Sequence, residues 1–82
     1  MNGVRIMEDK AILKEAMRER NERQTALAGK IGIKQSSLST ALRRDRMSMD
    51  VFAEILDAME YDVVVVDRRT GEPMWQVGTD DI

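Results

Sequence analysis

Cysteine and histidine are both missing from this chain, which holds one proline and only three aromatic residues. Without cysteine there is no disulfide framework and no thiolate metal or redox site. Without histidine the commonest metal ligand and the usual neutral-pH general base are gone. Nothing near Asp57, Glu60 and Asp62, the closest carboxylate group, resembles a nucleophile or an oxyanion pocket, so neither enzyme activity nor a cofactor nor a metal is expected. No run approaches a membrane span, and the first residues lack the apolar stretch of a signal peptide. The expected location is the cytoplasm. Eighty-two residues can build only one modest core, and association with a second copy would bury more apolar surface.

Excess positive charge is also lacking, since the net charge is −2. Its distribution is uneven, however. Residues 10–46 carry ten basic and four acidic side chains, a balance of +6, whereas residues 47–82 carry two and nine, a balance of −7. A phosphate backbone responds to the face it meets rather than to the sum over the chain.

The order of elements follows from periodicity. Residues 1–8 read as a loose arm or a short extension of the first helix. Ile12, Leu13, Ala16 and Met17 then recur at helical spacing over residues 9–20, with Asp9 as the expected N-cap. Asn21, with Gln24 three residues on, suggests a capping box for a second helix that buries Leu27, Ala28 and Ile31 and breaks at Gly32. A third helix is expected over residues 35–43, with Leu38 and Leu42 inward. Ser48 caps a fourth over residues 49–59, whose buried stripe is Phe52, Ile55, Leu56 and Met59. After Tyr61 the pattern changes. Val63, Val64, Val65 and Val66 read as a strand, residues 69–72 as a turn, and residues 73–77 as a returning strand with Pro73 at its start. The last four residues read as a frayed tail.

Residues 24–43 carry the functional signal. Two short helices that cross tightly need a small residue at the close approach, supplied by Ala28, and a turn residue tolerant of positive φ, supplied by Gly32. Leu27, Ile31, Ile33, Leu38 and Leu42 would join them. Left outward on the third helix are Gln35, Ser36, Ser37, Ser39, Thr40 and Arg43, short hydrogen-bonding groups with no acid among them. Such a face suits the major groove of double-stranded DNA, with Gln35 placed for a bidentate bond to adenine. Gln24 stands where a helix N-terminus would meet a phosphate, and Lys34, Arg43, Arg44 and Arg46 would add attraction to the backbone.

This window resembles the lambda-repressor-like, Cro-type (XRE) helix-turn-helix family at Leu27-Ala28, Gly32-Ile33 and Gln35-Ser36-Ser37-Leu38-Ser39. The likeness continues through residues 47–50 and 55–59 and covers residues 10–61. It implies a mainly α, four- to five-helix DNA-binding domain over residues 1–60, to which the valine run and its turn add a C-terminal β-hairpin over residues 61–78. It also implies a transcriptional repressor that binds palindromic operators as a homodimer, often in phages and mobile elements. Two departures stand out. Arg44 or Asp45 occupies the loop where glycine is common, and Glu60 replaces a frequent helix-ending glycine.

The four valines would expose apolar groups on both faces of a strand, which a lone hairpin cannot cover. Residues 61–77, with Val63, Val64, Val65, Val66 and Trp75 as the contacts, are therefore expected to pair with a second copy or pack over its helices. In the competing arrangement one valine face packs on the fourth helix and Trp75 covers the rest within a monomer. An alternative function also stands: an antitoxin or protein-interaction module that keeps the fold and binds a partner through its acidic C-terminal half.

Overall fold

In a computed structural model, which describes residues 4–78, the chain forms four helices followed by a two-stranded antiparallel hairpin. The helices are α1 (Asp9–Glu19), α2 (Gln24–Ile31), α3 (Gln35–Arg43) and α4 (Met49–Ala58), and the strands are β1 (Val64–Val66) and β2 (Pro73–Gln76). The tail expected over residues 79–82 lies outside the described residues, as do the first three residues of the N-terminal arm. Residues 4–8 are not helical, so the arm does not extend α1. Among the described residues no helix is long and apolar enough to cross a membrane.

Helical spacing explains the core. Leu13, Leu27 and Leu38, one from each of the first three helices, are 0 % exposed and belong to one cluster with Ala16, Ala28, Ile55, Leu56 and Met59. Full burial of a leucine contributes about 1.5–3 kcal/mol against the unfolded chain. Ile12, Met17, Ile31, Leu42, Phe52 and Val63 pack half-buried around this cluster. Ile33 does not join it. It is 42 % exposed, because it follows the left-handed turn and leaves the seam between the helices.

Helix ends differ from expectation in an instructive way. The N-cap of α1 is Glu8 rather than Asp9, which lies in the first turn. Asn21 does not cap α2. It adopts a left-handed conformation (φ 54) and closes α1, while the Asn21 N–H donates to the Arg18 carbonyl and the Glu22 N–H to the Met17 carbonyl at 2.8 Å. This pair of bonds satisfies carbonyls that the helix end would leave orphaned, and asparagine tolerates the conformation. Gly32 (φ 89) ends α2 in the same hand, with the Ile33 N–H donating to the Ala28 carbonyl. Ser48 caps α4 as expected, its Oγ accepting from the Val51 N–H at 3.2 Å.

Glu60 takes the third such position, at φ 66, with the Tyr61 N–H donating to the Leu56 carbonyl at 2.9 Å. Here a Cβ is strained and glycine would be relaxed. The strain is offset from across the fold. Arg20, just past α1, donates from Nε to the Met59 carbonyl at 3.0 Å and from Nη2 to the Glu60 carbonyl at 3.4 Å, and its guanidinium lies 4.0 Å from the centre of the Tyr61 ring. One cation thus satisfies the exposed carbonyls at the end of α4, where the helix dipole also favours positive charge.

The hairpin pairs Val64 with Gln76, Val65 with Trp75 and Val66 with Pro73, with a bulge between the last two pairs. Its connection is longer than the expected turn: the Asp67 carbonyl accepts from both Thr70 and Gly71, and the Asp67 N–H donates to the Glu72 carbonyl at 2.9 Å. Gly71 takes φ 80 within this loop.

Two substitutions test this account by urea denaturation. Leu27→Ala is expected to lose about 3 kcal/mol, because the site is sealed on all sides. Glu60→Gly should instead gain about 1 kcal/mol by releasing the left-handed strain. An unchanged or lower stability for the glycine variant would contradict the strain at that cap.

Candidate nucleic-acid interface

From Arg23 to Arg44 the chain contains five basic residues and no acidic one. This segment is α2, the turn and α3, so the charge asymmetry becomes a surface without carboxylates of its own. The N-termini of both helices are bare. Arg23 is the N-cap of α2 and Lys34 that of α3; neither makes a side-chain cap bond, and neither first turn contains an acid. By contrast, α1 has Asp9 in its first turn, and α4 has Asp50 and the Ser48 cap. A missing cap costs about 1 kcal/mol, and N–H groups left without a helix partner remain free for an anion or a base acceptor.

The structure brings the two expected glutamines together. Gln24 opens α2 and Gln35 opens α3, and Gln35 Nε2 donates to Gln24 Oε1 at 3.5 Å. This long bond uses one of the two amide hydrogens of Gln35. Its Oε1 and second hydrogen stay available, which is the pattern adenine requires. Gln24 is half-buried beside its neighbour, while Gln35 is exposed. Ser36 and Ser37 are exposed beside it. The Thr40 hydroxyl donates back to the Ser36 carbonyl at 2.9 Å, so Thr40 offers an outside group only its acceptor lone pairs.

Ser39 is half-buried rather than fully outward. It lines a groove of about 540 Å³ together with Gln24, Arg43, Lys10 and Lys14, over a floor of Met17 and Leu42. Lys10 and Lys14 were not among the residues expected from the sequence. They stand one helical turn apart on one flank of α1, and only the tertiary fold, in which α1 packs on α4 and Leu13 joins Leu27 and Leu38, turns that flank towards Ser39 and Arg43. Arg23 is likewise outside the expectation, because Asn21 has the cap chemistry and Arg23 holds the cap position. Arg44 and Arg46 are exposed and border a separate shallow hollow of about 120 Å³ with Ser48. They lie apart from the glutamine pair, on the loop leading into α4. Lys34 is exposed at the start of α3.

The expected association residues fall into two groups. Val63 is half-buried against the core and Val66 is half-buried, whereas Val64 and Val65 are exposed. Trp75 faces Val65 in the register and stays 67 % exposed, so it does not seal the valines within one chain.

A cap exchange tests the bare helix end. Lys34→Asp should raise folding stability by about 1 kcal/mol, by supplying the missing N-cap acceptor. The same change should weaken attraction to any polyanion. A variant that is more stable yet binds a duplex equally well would show that the α3 N-terminus does not meet phosphate or base.

No family model matches the chain, and neither curated protein sequences nor solved structures give a match.

Proposed function

We propose that this protein is a sequence-specific DNA-binding transcriptional regulator, a cytoplasmic repressor of the lambda-repressor-like, Cro-type helix-turn-helix kind that acts as a homodimer on a palindromic operator. The observation that carries the reading is the Gln24–Gln35 pair at two uncapped helix N-termini, flanked by a basic groove and free of acidic residues from Arg23 to Arg44. In this reading α3 enters the major groove, and Gln35, held by Gln24, reads a base edge. Lys10, Lys14, Lys34 and Arg43 meet the phosphates that flank the groove, with Arg44 and Arg46 engaging the backbone further along. A two-fold dimer sets two such helices about 34 Å apart, on successive turns of the duplex. Repression then follows from occupancy of the site.

A second reading is supported by a different surface. On the opposite flank of α1, Glu15 and Glu19 join Asp62 around an apolar groove of about 270 Å³ floored by Ile12, Ala16 and Leu56. A basic protein segment with an apolar side chain would fit there, although only Leu56, Tyr61 and Asp62 of this groove belong to the acidic C-terminal half through which the protein-interaction alternative would bind. Glu15 is already engaged by Arg18 at 2.9 Å, which lowers the charge available to a partner.

Selection from a random-duplex pool, followed by binding measurements at 50 and 200 mM salt (concentrations of about the range over which counterion release is steep), separates the readings. A dimer meeting six or more phosphates should lose about 1000-fold in affinity between them. Gln35→Ala should relax preference at one base position, at a cost of about 1–3 kcal/mol, whereas Lys14→Ala should weaken all duplexes alike and lower the salt slope by about 1 per half-site. Failure to enrich any sequence, with Gln35→Ala and Arg43→Ala both silent, would end the DNA reading.

A further inference from the structure

The two edges of the hairpin are not equivalent. The Val77 N–H donates to the Val63 carbonyl at 2.8 Å, and Val65 faces Trp75, so the backbone groups of Val63 and Val65 point towards β2. By alternation, those of Val64 and Val66 point away from it, at the free edge of β1. The corresponding edge of β2 is blunted twice. Pro73 faces Val66 and has no N–H to offer, and the bulge inserts Met74 just beyond it. Proline and bulges are the devices that stop a strand edge from pairing. Among the described residues β1 has no proline of its own, its three residues all being valine. Among the described residues, the N-terminal arm makes no backbone hydrogen bond to it.

We infer that β1 is the dimer edge: a second copy of this chain pairs antiparallel along it, giving a four-stranded sheet in the order β2-β1-β1-β2 across a two-fold axis at Val65. Only registers that match outward-pointing residues with each other can form. Of these, the one centred on Val65 sets Val64 opposite Val66 of the partner chain in both halves, and sets Asp62 opposite Arg68. Opposite residues in a strand pair lie within ion-pair reach. Asp62 is already oriented, its Oδ1 accepting from Gln76 Nε2 at 3.1 Å, so its other oxygen is free for the incoming guanidinium. Arg68 of each hairpin thus meets Asp62 at the base of the other. Apolar surface lies near this strand as well, because Val4 and Ile6, both exposed, surround an open hollow of about 410 Å³ with Val66, Arg68 and Gly71 of the loop. A second copy would cover them. The inference deepens the homodimer in the proposed function and is independent of its DNA contacts.

The absence of native cysteine makes the test direct. Val65→Cys places one thiol on the axis, facing its own copy, where it should form a disulfide-linked dimer under mild oxidation in the full chain. Gln76→Cys, on the β2 edge, should stay a free thiol. Val65 is exposed, so the cysteine should fold normally, and circular dichroism checks that both variants do. Asp62→Arg and Arg68→Asp should each weaken the dimer roughly tenfold in sedimentation, since two symmetric pairs become repulsive, and the double exchange should restore it. Cross-linking through Gln76→Cys but not Val65→Cys would overturn the assignment. So would a chain that stays monomeric with neither thiol oxidised, or one whose β1 amides are protected from exchange by residues 1–6 of the same chain. All these readouts are taken without DNA. A wild-type chain that dimerises through Val65 yet selects no duplex refutes the DNA reading alone; one that selects a duplex without this cross-link refutes the edge alone.

Discussion

Three leucine side chains, drawn from α1, α2 and α3, share one water-free cluster, and the exposed surface depends on them. α2 and α3 are eight and nine residues long, too short to be stable alone. Their angle is held by what Leu27 and Leu38 touch and by the left-handed exit at Gly32. With that angle set, the first residues of both helices come together, and Gln24 reaches Gln35. A cavity at either leucine would loosen the relation between the two helix ends before it altered a polar residue.

Electrostatics is organised around α1. One flank carries Lys10 and Lys14 towards Ser39 and Arg43, and the other carries Glu15 and Glu19 towards Leu56 and Asp62. A net charge near zero therefore conceals two surfaces of opposite sign on either side of a single helix. The bare N-termini of α2 and α3 add to the positive side. They leave stability unclaimed where α4 has a serine cap.

The hairpin has a different standing from the helices. Val63 ties its base to the core, and Arg20 ties the end of α4 to the end of α1, but Val65, Met74 and Trp75 remain in water. Two strands without a covering layer are marginally stable by themselves. Their apolar surface and the asymmetry of their edges are the two observations on which the proposed pairing with a second copy rests.

Much of this was legible in the residues. The extents of α2 and α3, the cap at Ser48, the left-handed Gly32, the core stripe of α4 and the strand start at Pro73 follow from periods and capping chemistry that operate within a few residues. The errors came at places where the deciding partner is remote. Asn21 looks like a cap, but it closes the preceding helix. Ile33 has core chemistry yet lies beyond a reversal of the chain. Arg20 is an ordinary surface residue until α4 ends beside it, and Lys10 and Lys14 are a solvated stripe until the leucine cluster sets α3 across a groove from them. Local hydrogen bonding and side-chain period set the elements, because those energies are felt over one or two turns. Which charges share a groove is settled by packing, because side chains many residues apart meet only when the leucines close around one another.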